Sequence, residues 1–585
     1  MKYLKLFLKE RKGKVAITLL MLLGQVVGTL LIPFLIAGIV DNGILKGDMT
    51  AVFRIGWQMI LVLIVATIVS ILGSYYSSDL AAVFGYDMRD KIFRKSQELS
   101  IHEFDTFGVS SMITRTTSDI SNLQQTLGMV LQMIVPAPLI IGVSIVMTSY
   151  TNLTLSFVLI FSVIIFILFS VVILKKSNVI SQRIQSRLDR INQVVRESIT
   201  GIRVIRAFGN ERHEEGRSGK AFENYATEMI KLNKLFAVLT PSVWLVMGLS
   251  MAVIVWLGGL FSMKGTMEIG QITAVTEYAI ITLSYLIMAL ATSATLPKMK
   301  SCLDRIEQVL DIEPEIQDLN RKQVGVAETS PVAVDVVDNS PVVEFENVSF
   351  YYPGAEEPVI KNLSFCCNEG ETTAIIGSTG SGKSTVANLL LRLHDVDEGE
   401  VRLSGTDIRS LLQHELRDNI GYVPQKAFLF SGTIEDNLRM GYKNATEEDM
   451  RKALNISQSE SFVNELPMGL GSPVSQGGSN FSGGQKQRLS IARALIKPAP
   501  VYIFDDSFSA LDLKTDAALR KSLKENMTDA VKIIIAQRVS TIIDADQILV
   551  LDEGKLVGIG KHDTLMKNCS VYQAIARSQM NIKEA

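Results

Sequence analysis

The sequence predicts an all-α transmembrane domain of six helices followed by an α/β domain built round a phosphate-binding loop. Three observations carry that fold class. Apolar stretches long enough to span a bilayer recur through the first half. Strand-like and helix-like segments alternate through the second half. One such strand, Thr373-Ala374-Ile375-Ile376, runs into Gly377-Ser378-Thr379-Gly380-Ser381-Gly382-Lys383-Ser384-Thr385, the pattern G-x-x-x-x-G-K-[ST] at the start of a helix.

The chain has 585 residues, too many for one hydrophobic core. Its 47% hydrophobic and 20% charged residues would suit an ordinary globular protein, so the informative feature is their distribution, with the apolar residues concentrated in the first half. A net charge of −2 argues against a nucleic-acid partner. The Lys and Arg residues of the first half fall in connections, where membrane topology accounts for them. Cys302, Cys366, Cys367 and Cys569 form no C-x-x-C pair, so they read as reduced, incidental thiols rather than a zinc or disulfide framework.

Residues Met1 to Lys9 alternate Lys with Leu, Phe and Tyr at helical spacing, as in a short helix lying in the membrane surface. The basic residues up to Lys14 precede a long apolar run with no small-residue cleavage site, which reads as a retained span rather than a signal peptide. Spans are expected at about 15–40, 55–76, 127–148, 153–174, 238–261 and 272–296. The connections after the second and fourth spans are long and basic, and the others are short and nearly uncharged, so both termini are expected on the cytoplasmic side of a cell membrane. The long connections read as helices continuing into the cytosol. Their reversals are expected near Phe104–Asp119 and around 210, where Gly201–Phe208 is followed by Glu211–Glu215, either as force-transmitting contacts or as solvated charged turns.

Glu277 is the carboxylate expected at membrane depth. It reads either as a substrate contact in a central cavity or as a residue near the outer interface. Trp244, Trp256, Pro136, Pro138 and Pro241 read as cavity-shaping or as packing and kink residues. Apolar periodicity is lost from about Glu313 to Ser340, which sets the expected domains at 1–312 and 341–585 with a linker, 313–340, between them.

In the second domain the glycines of the phosphate loop leave backbone N–H groups free to face a polyphosphate, and the helix opening near Lys383 adds its positive end. Lys383 is placed to reach β- and γ-phosphates and Ser384 to ligate Mg²⁺, so ATP or a similar triphosphate is expected here. Tyr352, at the end of the first strand, is a candidate to stack on the base. The apolar strand Pro500–Phe504 ends in Asp505-Asp506, with Asp505 placed to hold Mg²⁺ through its water shell. Phe481-Ser482-Gly483-Gly484-Gln485 opens another helix with small residues, a second phosphate site. The phosphate loop already serves this domain's own nucleotide, so the second site must act on a different one.

With these motifs in this order the chain resembles a half-transporter of the ATP-binding cassette (ABC) exporter family, of the type IV fold, over essentially its whole length. The resemblance implies two cassettes closing head to tail, with two ATP molecules each held between the phosphate loop of one and the signature Phe481–Gln485 of the other. It implies that Tyr352 stacks on adenine, that Gln425 links Mg²⁺ to the membrane domain and that Asp512 contacts the dimer partner. Ser482, Gly483, Gly484 and Gln485 would act in trans. Two positions depart from the family pattern. Asp506 stands where a catalytic Glu is usual, its carboxylate withdrawn by about 1.5 Å, and Gln537 stands where a histidine usually meets the γ-phosphate.

These departures resemble the degenerate-site subunit of bacterial heterodimeric multidrug exporters, a slow or inactive ATPase site paired with a homologous partner supplying the Glu and His. The expected cargo is a drug or other amphipathic compound. A lipid, peptide or haem-related transporter, an ATP-gated channel and a homodimer with two poor sites remain open alternatives.

Overall fold

Six helices long and apolar enough to cross a bilayer dominate the first half of the chain: Lys12–Ile44, Met49–Glu98, Val109–Thr151, Leu153–Thr200, Glu211–Met263 and Ile269–Leu310. The computed structural model describes residues 1–318 and 341–580, so most of the expected linker lies outside the described residues. The chain divides into two units, one of Met1–Gln97 with Gly108–Ile312 and one of Glu98–Phe107 with Glu313–Ala585.

In the first unit the sixth helix packs between two pairs of spans. On one side Val26, Leu30, Ile140, Ala274 and Tyr278 join it to the first and third spans. On the other side Leu155, Leu159, Ile254, Val275 and Ala279 join it to the fourth and fifth. Lipid tails are as apolar as these side chains, so close approach has to come from small residues. At Gly28 a Cβ would sit 2.6 Å from Ala66 Cβ, and at Gly258 2.9 Å from Ile272. The expected N-terminal helix spans Lys2–Glu10. It is tied to the bundle as well as amphipathic: Phe7 is buried edge-on against Phe84, and Lys2 and Tyr3 both donate to Asp311.

The first reversal lies earlier than the sequence suggests. A short helix, Ile101–Phe107, makes it, Gly108 follows at φ 73°, and Ser110–Asp119 already belongs to the third long helix. Its run of Ser and Thr looks loop-like, but the hydroxyls of Thr114, Thr116 and Thr117 bond back to carbonyls one turn earlier. Asp119 there forms a two-pronged ion pair with Arg305. The second reversal is the helix Ile202–Ala207 with Gly209 at φ 59°, and Glu211 opens the fifth long helix.

The second unit is α/β. Strands β1 (Val343–Phe350), β2 (Ile360–Cys367), β4 (Glu398–Leu403) and β5 (Thr406–Asp407) form an antiparallel sheet in the order β2-β1-β4-β5, with β3 (Thr372–Gly377) in the main sheet. That sheet runs β12-β11-β3-β10-β9-β6, using β6 (Ile420–Val423), β9 (Val501–Asp505), β10 (Val531–Ile535), β11 (Gln547–Asp552) and β12 (Lys555–Gly560). Only the β11–β12 edge is antiparallel. Its central strands are covered on both faces, so β9 and β10 are buried along their whole length and read as continuous runs such as Val-Tyr-Ile-Phe. The short pair β7 (Gly432–Thr433) and β8 (Pro473–Val474) accompanies a helical subdomain that carries the signature helix.

Candidate functional site

In a parallel sheet the functional groups gather at the carboxyl ends of the strands. Here β3 is followed by the phosphate loop, β6 by Gln425, β9 by Asp506 and β10 by Gln537. These strands are neighbours, so four segments spread over more than a hundred residues of sequence meet at one edge.

The loop's geometry requires glycine at defined places. Gly380 and Gly382 have φ of 84° and 94°, a region that L side chains rarely adopt. At Gly377 a Cβ would lie 2.1 Å from the Leu551 carbonyl. Gly382 then caps the helix Lys383–Leu390, turning its first N–H groups into the loop. Lys383 donates from Nζ to the carbonyls of Gly377 at 3.0 Å and Ser378 at 2.6 Å. Burial pulls its pKa below the usual lysine range, against the nearby carboxylates of Asp506 and Asp505. A poorly solvated ammonium held beside backbone carbonyls is well prepared to be paired with phosphate oxygens. Ser378, Thr379 and Ser381 complete the loop. Ser384 Oγ donates to Asp505 Oδ1 at 2.9 Å, and Asp505 is buried. A hydroxyl and a carboxylate at that separation are the hard oxygen donors that Mg²⁺ takes, so the residues present fit the ion.

Asp506 adopts φ 46°, which Asp tolerates better than most residues. Its N–H donates to the Ile535 carbonyl at 2.9 Å, anchoring the end of β9 to the end of β10. Its Oδ2 accepts from Gln537 Nε2 at 2.9 Å and from Gln425 Nε2 at 3.3 Å. The two departures from the family pattern are thus bonded to each other, with Gln425 as the third member. Burial raises the pKa of both Asp505 and Asp506. For Asp505 the neighbouring Asp506 adds to the rise, and for Asp506 the amide of Gln425 and Lys383 work against it. The Tyr352 hydroxyl lies 3.2 Å from Thr385 Oγ1, and its ring stands edge-on to Phe350 and His394 beside the loop helix.

Ser482 and Asp512 stand apart from this cluster, and among the described residues no hydrogen bond joins either to it. Ser482 is the exposed N-cap of Gly483–Leu495, in a capping box with Gln485: its Oγ accepts from Gln485 N at 3.3 Å, and its own N–H donates to Gln485 Oε1 at 2.9 Å. Asp512 caps Leu513–Asn526 by accepting from Thr515 N at 3.0 Å and from the Thr515 hydroxyl at 2.7 Å, and that hydroxyl holds its pKa low. Gly484 packs toward this loop, since a Cβ there would lie 3.5 Å from the Ala510 carbonyl.

Comparison with known proteins agrees with this arrangement. A family model described as the ABC transporter transmembrane region matches residues 15–286, and one described as ABC transporter matches 360–509. An uncharacterized ABC transporter ATP-binding protein of Mycobacterium tuberculosis strain H37Rv is 36% identical over 98% of this chain and 97% of its own length. The chain belongs to the ABC transporter family. An ATP-dependent lipid A-core flippase of Desulfotalea psychrophila is 30% identical to this ABC transporter over 84% of each chain. A solved bacterial Atm1-family ABC exporter with ATP bound superposes with a TM-score of 0.78 at 26% identity, covering 97% of this chain and 98% of that one. This ABC transporter is therefore an exporter-type half-transporter, a multi-pass membrane protein whose α/β unit is its ATP-binding domain.

The sequence singled out Glu277 in the membrane unit, and the structure puts it on an exposed face of the sixth helix. Trp244 and Trp256 are exposed as well. Sequence reasoning missed Asp41, which is only 4% exposed and whose Oδ1 accepts from Gly270 N at 2.6 Å. The first span was read as ending one residue before it; a span boundary carried one turn further would have flagged a carboxylate within a helix.

Proposed function

We propose that this chain is the degenerate-site subunit of a heterodimeric ATP-driven exporter in the cell membrane, with its termini and ATP-binding domain on the cytoplasmic side. The observation that carries the reading is the Asp506–Gln537–Gln425 cluster. A general base needs a free lone pair within hydrogen-bond reach of its water. Here the shorter carboxylate has one oxygen engaged by two amides, and no imidazole stands at Gln537. Lys383 and the loop N–H groups would hold the triphosphate, Tyr352 its base, and Ser384, Gln425 and Asp505 the Mg²⁺, which neutralises charge on the phosphates when bound. Nucleotide is retained at this site and cleaved slowly.

The signature helix supports the complementary half of the reading. Ser482 and Gly483 at its opening are exposed, and among the described residues the Ser482 side chain bonds only within the capping box, as suits a surface that meets another subunit's ATP. A homologous half-transporter carrying Glu and His would there have a competent site, completed by Ser482 and Gly484 of this chain. The cargo is an amphipathic compound met on the apolar inner faces, with Glu277 on one of them. Lipid amphiphiles fall in the same class, in keeping with the relative named as a lipid A-core flippase.

The test is nucleotide trapping on the purified assembly, with its subunits identified by mass spectrometry. Intact ATP retained at this chain's phosphate loop, alongside a second related subunit, is the expected result. Recovery of ADP at both sites, or of this chain as the sole ABC subunit, overturns the reading.

A further inference from the structure

A cavity of about 510 Å³ opens among the first, second, third and sixth spans, at the end of the bundle where the short turns lie. It belongs wholly to the membrane unit. Two carboxylates line it, Asp41 and Glu268, together with the amides of Gln58 and Gln271 and the phenol rings of Tyr150 and Tyr278. Asp41 sits in a π-helical turn, Ile39–Ile44, a widened backbone form that recurs at functional positions. Its Oδ1 is engaged by the second residue of the sixth helix, and among the described residues no hydrogen bond reaches Oδ2. Gly270 allows this approach, since a Cβ there would lie 2.4 Å from the Ala37 carbonyl and 2.6 Å from Asp41 Oδ2.

A second observation points to a ligand independently of the acidic pair. Tyr278 is 1% exposed, it lines the same cavity, and its hydroxyl has no hydrogen-bond partner among the described residues. Burying a hydroxyl without a partner costs free energy, and a carboxylate at membrane depth costs more, so such groups persist where a ligand or water meets them. No Lys or Arg is among the described residues that line it; Lys46, beside the lining residue Asn42, is exposed and donates to Asn42 Oδ1 at 2.8 Å. The cavity is therefore negative as well as aromatic. Its volume lies in the range of organic-ligand pockets rather than that of a bare metal ion. Aromatic faces beside carboxylates favour a delocalised or alkylated ammonium over a neutral compound.

We propose that this cavity is a binding site for an aromatic organic cation, with Asp41 supplying the charge and Tyr278 the ring and hydroxyl. The proposal rests on the chain's being a membrane transporter and not on the state of its ATP site. Binding is to be measured without nucleotide turnover, so its failure leaves that reading untouched.

The experiment uses the assembled transporter in nanodiscs of phosphatidylethanolamine and phosphatidylglycerol, with ethidium as the cationic probe and Nile red as the neutral one. Asp41→Asn keeps an oxygen for the Gly270 N–H while removing the charge. It should weaken ethidium binding by at least about ten-fold and leave Nile red unchanged. Tyr278→Phe keeps the ring and should cost ethidium about five-fold; it carries the test alone if the Asp41 variant fails to assemble. Wild-type ethidium affinity in both variants overturns the proposal, as does equal loss of both probes. So does a loss of ethidium binding in Glu277→Gln that Asp41→Asn does not share, which would move the cation to the exposed face of the sixth helix.

Discussion

The phosphate-loop face and the signature helix are the two surfaces of one domain proposed to meet nucleotide, yet they are built in opposite ways. Around the loop, Lys383, Ser384, Asp505 and Asp506 are partly or fully buried, and the exposed amides of Gln425 and Gln537 bond Asp506 across neighbouring strand ends. At the signature, Ser482 is exposed, and its hydrogen bonds close a capping box within three residues. The first surface holds its groups in place by itself. The second is a preformed helix end, which the proposed function assigns to the nucleotide of another subunit. On the proposed reading, the contrast means that the two halves of one cassette are tuned separately, one to retain ATP and the other to complete hydrolysis elsewhere.

The largest expected effect tests the open surface. Ser482→Ala should lower the ATPase rate of the assembled transporter by about ten-fold or more, because it removes a contact to the phosphate at the competent site. The same change also removes a cap worth about 1 kcal/mol. Ser482→Asn therefore serves as the control, since Asn caps well without the hydroxyl; it should melt like the wild type and still lose the rate. Full activity in Ser482→Asn would show that the residue acts only as a cap.

A smaller effect is expected on the closed surface. Asp506→Asn leaves an oxygen to accept from both glutamines, and steady-state turnover should change only about two- to three-fold. Asp506→Glu alone should do no more, because Gln537 still stands where an imidazole is needed. If Asp506→Asn abolished turnover while Ser482→Ala left it intact, the roles of the two surfaces would be reversed.

The smallest effect is one of stability. Burial holds the Asp505 and Asp506 pKa values above the ordinary carboxylate range. As pH rises from about 4, the unfolded chain loses these protons before the folded one does. Folded-state stability therefore falls with pH through that window and stays reduced above it. Asp505→Asn should accordingly raise the nucleotide-free melting temperature at neutral pH by about 2–4 °C, and the gain should shrink as pH is lowered toward 4. A gain that is unchanged by pH would assign it to packing rather than to charge.

Much of this was legible in the chain itself where the interactions are local. The strand–glycine turn–helix around Gly377–Thr385, the helix opened by small residues at Phe481–Gln485 and the six long apolar runs all rest on contacts or periodicities within a few residues. Elsewhere the local signal misled. Ser110–Asp119 looks like a turn because Ser and Thr favour turns, but inside a helix their hydroxyls bond to the preceding turn instead.

Sequence alone therefore determined the two-part architecture, the nucleotide motifs and the two unusual residues Asp506 and Gln537. Only the tertiary structure decided that those two residues touch. Their contact depends on β9 and β10 pairing side by side, a choice set by long-range strand pairing and invisible to any periodicity along the chain. It also decided that Asp41 and Tyr278, 237 residues apart, share one cavity while Glu277, adjacent to Tyr278, does not. Consecutive residues of a helix point about 100° apart, and which of them meets a neighbour depends on how the helices pack.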